Sequence, residues 1–125
     1  MTKILIIGGT AEAKNLHFRL QEKKLFTILS YAGLTDSVDK GVKNIRVGGF
    51  GGPMGMSAFV KDEGITHILD ASHPFSKNIT VNSLLAAQLT KIEYLGFERP
   101  KWQRQNGDKW KLVSDMNKAI KLIDE

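Results

Sequence analysis

The sequence has no cysteine, which excludes a disulfide scaffold, a thiolate metal site and a cysteine nucleophile. A reducing cytoplasm is the location this absence fits. Long apolar runs are missing as well. The stretch Ile4 to Ile7 is too short for a signal peptide or a membrane span, and it reads better as a buried strand. No tract of like charge exists: the net charge is +5, but the lysines are scattered along the chain. That balance suits an anionic ligand such as a nucleotide, a polycarboxylate or nucleic acid, and it equally suits a plain solvated surface. No spacing of histidines and carboxylates resembles a metal site, so no metal is expected. No Ser-His-Asp arrangement follows from the residue order.

What is present is an ordinary globular composition, 42% hydrophobic and 25% charged. Residues 1–125 are read as one domain, large enough to bury about two-thirds of the surface of its unfolded chain. No internal repeat, low-complexity segment or linker interrupts it.

Lys3 to Ile7 predicts a parallel strand buried on both faces, because its apolar residues run without alternation into two glycines. Thr10 to Lys24 predicts a helix, with Ala11, Leu16, Leu20 and the flanking Ala13 at helical spacing, Glu12 in the first turn and Lys23 and Lys24 in the last. Phe26 to Tyr31 and Asn44 to Val47 read as further strands. Met54 to Glu63 reads as a helix closed by Gly64. Ile65 to Asp70, a helix from Ile79 to Leu89, and a strand from Ile92 to Phe97 continue the alternation. Trp110 to Val113 is compatible with a sixth strand, and Asp115 with the cap of a helix over Met116 to Ile123. The pattern predicts an α/β fold: a Rossmann-like open parallel sheet of about five strands, helices on both faces, in three layers.

Ligands of such sheets bind outside the carboxyl ends of the strands. Three unusual loops follow strands and should therefore share one edge. Gly8-Gly9-Thr10 can bring the backbone close to a phosphate at a helix N-terminus; a tight strand-to-helix turn is the plainer reading. Glu12 beside it reads as a first-turn helix residue rather than a catalytic acid. Gly48-Gly49-Phe50-Gly51-Gly52 can present backbone donors to a ligand or form a mobile loop. Ser72-His73-Pro74-Phe75-Ser76 is a rigid polar loop in which His73 either acts as acid or hydrogen-bond donor or satisfies backbone groups. His17 and His67 are expected to be structural or solvent-facing. Trp102 and Trp110 flank a segment with Arg104 and Lys109; they can stack on bases, but anchoring a loop is the commoner use, and no nucleic-acid partner is expected.

Taken together, four segments resemble the precorrin-6A reductase family of cobalamin biosynthesis, in its N-terminal half. They are residues Ile4 to Ala13, Arg46 to Gly52, Asp70 to Ser76, and Glu98-Arg99-Pro100-Lys101-Trp102, in the family's order. The resemblance implies reduction of one macrocycle double bond of precorrin-6A or cobalt-precorrin-6A to the 6B form, with hydride from NADPH or NADH. It implies that Gly8, Gly9 and Thr10 hold cofactor phosphates. It further implies that Gly48, Gly49, Phe50, Gly51, Gly52, Ser72, His73, Pro74 and Phe75 line the cleft, with Ser72 and His73 as catalytic candidates. Arg99 would suit the polycarboxylate substrate.

Family members often carry Ala-Gly-Arg-Thr after the second strand, where the arginine suits a 2′-phosphate. Here Ala32-Gly33-Leu34-Thr35 stands there, so Ala32, Gly33 and Thr35 are the cofactor-side candidates. The acid that NAD binders place at the end of strand 2 is also missing, with Ser30 and Tyr31 in its place and Asp36 nearby. Both cofactors stay open. Family enzymes are about twice as long, which implies a missing C-terminal domain or second chain to complete the cleft, and no membrane partner. A nonenzymatic nucleotide-binding or regulatory module is the alternative reading.

Overall fold

A computed structural model describes residues 2–8, 11–31, 45–47, 50–71, 77–97, 110–113, 120–121 and 123. Its strands are β1 (Lys3–Ile7), β2 (Phe26–Tyr31), β3 (Ile45–Val47), β4 (His67–Asp70), β5 (Glu93–Phe97) and β6 (Trp110–Val113). They form a single sheet in the order β3-β2-β1-β4-β5-β6. Every pairing is parallel. The helices α1 (Ala11–Glu22), α2 (Gly52–Glu63) and α3 (Lys77–Thr90) connect them.

Successive side chains of a strand point to opposite faces, and β1 shows why its sequence is apolar throughout. Ile4 and Ile6 pack with Leu29 and with Ala13, Leu16 and Leu20 of α1, and the same cluster takes in Ile120 and Ile123. Leu5 and Ile7 face the other way, onto Met56 and Val60 of α2 and Ala86 and Ala87 of α3. Helices therefore cover both faces, and the expected three-layer arrangement holds. The sixth strand is present, one more than the five or so expected.

The element ends differ from the sequence reading where backbone chemistry overrides side-chain pattern. α2 starts at Gly52, two residues before the expected Met54: Gly51 takes the N-cap position in the left-handed region with φ 83°, and Pro53 sits in the first turn. Proline is pre-organised there and loses no hydrogen bond. Gly52 is thus the first residue of a helix and not part of a loop. α3 runs from Lys77 to Thr90, longer than expected at both ends. β4 begins at His67, because Ile65 and Thr66 still form the approach: Thr66 donates its N–H to the Lys3 carbonyl at 2.8 Å. Of the helix expected over Met116 to Ile123, Ile120, Lys121 and Ile123 are described and helical; Asp115 lies outside the described residues.

Lys23 and Lys24 do not belong to the last turn of α1 but terminate it. Lys24 has φ 63°. Lys24 and Leu25 donate their N–H groups to Gln21 and Leu20 at 2.9 and 3.1 Å, the Schellman arrangement that usually uses glycine. Lys91 closes α3 in the same conformation, φ 60°, with Ile92 donating to Ala87 at 3.1 Å. A side chain in the left-handed region costs about 1 kcal/mol. Lys24→Gly and Lys91→Gly are each expected to raise stability by up to about that amount, read as a higher urea midpoint at unchanged slope; a lower midpoint would contradict these caps.

Two histidines have structural places. His17 is fully buried, with Nδ1 2.8 Å from the Thr27 hydroxyl of β2. His67 sits at the amino end of β4, with Nδ1 2.8 Å from Thr66 Oγ1 and Nε2 3.1 Å from Glu93 Oε2. That is the sheet edge opposite the three loops.

Candidate functional site

The parallel register brings the carboxyl ends of the strands to one edge. Ile7 lies beside Ser30 of β2 on one side and Asp70 of β4 on the other, and Tyr31 lies beside Val47 of β3. The segments that follow β1, β2, β3 and β4 therefore all leave from this edge, as the expectation of convergence required. Strand order reverses between β1 and β4, because the chain goes from β1 outward to β2 and β3, then returns to β4. That reversal is the switch point of the sheet, the place where ligands of such folds bind.

Two backbone hydrogen bonds hold the chain where β1 and β4 end. Gly8 donates its N–H to the Ser30 carbonyl at 3.0 Å, and Ala71 donates its N–H to the Ile7 carbonyl at 2.8 Å. Gly8 is buried and has φ 143°, a conformation that glycine adopts readily and side-chain-bearing residues avoid. A glycine there leaves the backbone without a Cβ where β1 ends at the switch point. Gly9, Thr10, Ala32, Gly33, Thr35, Gly48, Gly49, Ser72, His73, Pro74, Phe75 and Arg99 lie outside the described residues, as do Trp102 and Arg104.

The described part of the second loop is built around aromatic packing. Phe50 meets Phe59 of α2 edge-on, with ring centroids 5.2 Å apart. The Arg46 guanidinium of β3 lies 3.8 Å from the centre of the Phe50 ring and 5.2 Å from that of Phe59. Partial burial of Arg46 lowers the pKa of its guanidinium by desolvation, without discharging it at neutral pH. Gly55 of α2 makes the close approach achievable: a Cβ there would lie 1.8 Å from the Phe50 carbonyl oxygen.

On the other side of the switch point a buried polar network fixes the end of β4. Asp70 is fully buried. Its Oδ2 accepts the Thr80 hydroxyl of α3 at 2.9 Å and the Tyr94 hydroxyl of β5 at 2.6 Å. Thr80 in turn offers its carbonyl to the buried Ser83 hydroxyl at 2.9 Å. One carboxyl group thus joins β4, α3 and β5 two residues before Ser72. The sequence reading passed over Asp70, Thr80, Tyr94 and the Arg46–Phe59 contact as site-building residues. An aspartate directly after the apolar pair Ile68-Leu69 was the one available signal.

An all-parallel, doubly wound sheet with its glycine turn at the switch point defines the Rossmann-like class of α/β domains. Within that class the chain belongs to the precorrin-6x reductase CbiJ/CobK family, whose family model matches residues 3–124. It is 35% identical to the precorrin-6A reductase of Rhodobacter capsulatus, over 100% of this chain and 50% of that protein. It is 39% identical to the precorrin-6A reductase of a Sinorhizobium species, over 98% of this chain and 48% of that protein. The solved structure of CobK precorrin-6A reductase superposes with a TM-score of 0.74 at 36% identity, covering 97% of this chain and 48% of that one. The structure of RSP in complex with β-NADH, at 9% identity and a TM-score of 0.65 over 98% of this chain and 58% of that one, shares the fold alone. The chain spans about half the length of the curated relatives it matches. Among the described residues no helix is long and apolar enough to cross a membrane.

Proposed function

We propose that this chain supplies the cofactor-binding half of a reductase that converts precorrin-6A, or its cobalt-containing counterpart, to the 6B form. The observation that carries the reading is the switch point between β1 and β4, with the buried Gly8 where β1 ends, in a chain that belongs to this family. A buried glycine at φ 143° followed by the N-terminal end of α1 suits a phosphate, because backbone N–H groups and the positive helix end favour an anion. A nicotinamide cofactor bound there supplies a hydride for one macrocycle double bond.

Gly8, Gly9 and Thr10 are proposed to hold the cofactor phosphates, and Ala32, Gly33 and Thr35 to border its adenosine side. Strand order refines the assignment of the other two loops. β3 and β4 stand three strand spacings apart, about 14 Å, which supports a role for the Gly48 to Gly52 stretch, lying between β3 and α2, toward the adenosine end of the cleft. Ser72 to Phe75 follow β4 and Arg99 follows β5, toward the nicotinamide and the polycarboxylate substrate. Ser72 and His73 are the candidates for handling the proton, and Asp70 anchors the strand from which they leave. A second domain or chain completes the cleft and excludes water from it. The cytoplasm, where the reduced cofactor is available, is the proposed location.

Calorimetric titration with NADPH and NADH tests the cofactor assignment. Binding is expected for the unaltered chain, with a loss of at least about tenfold in affinity for Gly9→Asp, which sets a carboxylate against a phosphate. Absence of binding to either cofactor, or an unaffected Gly9→Asp, would remove the assignment. Oxidation of the reduced cofactor by precorrin-6A once the second half is supplied tests the reaction itself.

A further inference from the structure

We propose that the outer face of α2 and α3, centred on Val81, Leu85 and Leu89, is the surface on which a second copy of this chain docks. The three residues stand four apart in α3 and so share one side of the helix, while Thr80, Ser83, Ala86 and Ala87 supply its buried side. Val81, Leu85 and Leu89 are 51%, 41% and 54% exposed, and Met54 in the first turn of α2 is 72% exposed. Four of the six exposed large apolar side chains among the described residues thus belong to these two helices. Of the other two, Phe26 lies under the Lys3 ammonium, 4.6 Å from its ring centre. α2 and α3 pack together on the same face of the sheet.

Charge decides the occupant. A quarter of the chain is charged, and α1, on the other face of the sheet, carries Glu12, Lys14, Arg19 and Glu22, as a solvated helix does. Gly52 to Val60 in α2 and Asn78 to Thr90 in α3 carry no charge at all. Lys61, Asp62 and Glu63 of α2 and Lys91 after α3 fall at the carboxyl ends of the helices, where the rim of an interface is polar. With a net charge of +5, two copies repel each other wherever their cations meet; across this face they approach with no cation set against another. A charged partner would find nothing here to pair with and would bury its own charges uncompensated. A two-fold contact sets a surface against itself, and a neutral apolar stripe is its own complement. With the two α3 helices antiparallel, Leu85 meets Leu85 of the second copy near the axis, and Val81 meets Leu89. Two helices of this length side by side offer a footprint of roughly 20 Å by 20 Å. Two such footprints bury on the order of 1,000 Å² in all, at the lower end of specific interfaces, so the dimer is a weak one.

Sedimentation equilibrium of the full chain, from roughly 10 μM to 1 mM, tests this contact. The weight-average mass is expected to rise from 13.9 kDa toward twice that value, with a dissociation constant on the order of 100 μM. Leu85→Lys sets two ammonium groups against each other at the axis and should weaken association at least about tenfold. Asn15→Lys adds the same charge at an exposed position of α1 and should leave association within about twofold of the parent. A monomer over the whole range would overturn the proposal and leave the face to a different partner. Association unchanged by Leu85→Lys, or weakened equally by both variants, would overturn it too. Circular dichroism melting identifies a folding defect. Should Leu85→Lys melt early, Leu89→Lys, at a more exposed position, is read instead, with the same expected loss, and undiminished association would overturn the proposal.

Discussion

Asp70→Ala is expected to lower the unfolding free energy by about 3 kcal/mol, because two buried hydroxyl donors lose their acceptor at once. The Thr80 and Tyr94 hydroxyls both converge on the same oxygen, at 2.9 and 2.6 Å, inside a part of the molecule that excludes water. Geometry also predicts the companion results. In Asp70→Asn a single amide oxygen can still accept from both donors, so the loss should be nearer 1 kcal/mol. Tyr94→Phe removes one donor and leaves the other bond in place, and should likewise cost about 1 kcal/mol. Urea denaturation of the three variants measures the order. If Asp70→Ala and Asp70→Asn fall together, the convergence on one oxygen is not what stabilises the end of β4.

Gly55→Ala is expected to be comparably damaging, at about 3 kcal/mol, although the substitution adds one methyl group and raises helix propensity. The added Cβ would lie 1.8 Å from the Phe50 carbonyl oxygen, and the contact is with backbone, so no side-chain rotation relieves it. Either α2 or the segment entering it must move, and the Phe50–Phe59–Arg46 stack moves with it. The expected signature is a fall in the urea midpoint together with weaker adenosine-nucleotide binding. Ser57→Ala, two residues along α2, is the contrast: it loses a 2.8 Å hydrogen bond to the Pro53 carbonyl and should change stability by about 1 kcal/mol or less. Stability of Gly55→Ala equal to that of the parent would contradict the close approach of Phe50 to α2.

These two sites mark where reading the sequence stopped. β1 was legible because a strand buried on both faces must be apolar at every position, and Ile4 to Ile7 show that locally. α1, α3 and the Gly64 stop were legible because helical periodicity and left-handed caps are short-range properties. The start of α2 was missed because apolar spacing points to Met54, whereas the backbone preferences of Gly51 and Pro53 start the helix at Gly52. Lys24 and Lys91 were not readable as stop residues, since lysine carries no propensity for the conformation they adopt; packing of the next strand imposes it.

The candidate site divides in the same way. The glycine turn after β1 and the general edge of the sheet followed from the motif and from the rule for parallel sheets. The hydrogen bonds that secure Asp70 span ten and twenty-four residues of chain, and no local pattern announces such partners. By itself the sequence determined the alternation of strands and helices, the burial of β1 and the family resemblance, because each is written in residue type and near-neighbour spacing. Tertiary structure decided the strand order, and with it that β3 and β4 stand three strands apart in the sheet. It also decided that Arg46 meets Phe50 and Phe59, and that one buried carboxyl group holds three elements together. Those outcomes depend on which strands become neighbours, a choice made by burying both faces of the whole sheet at once.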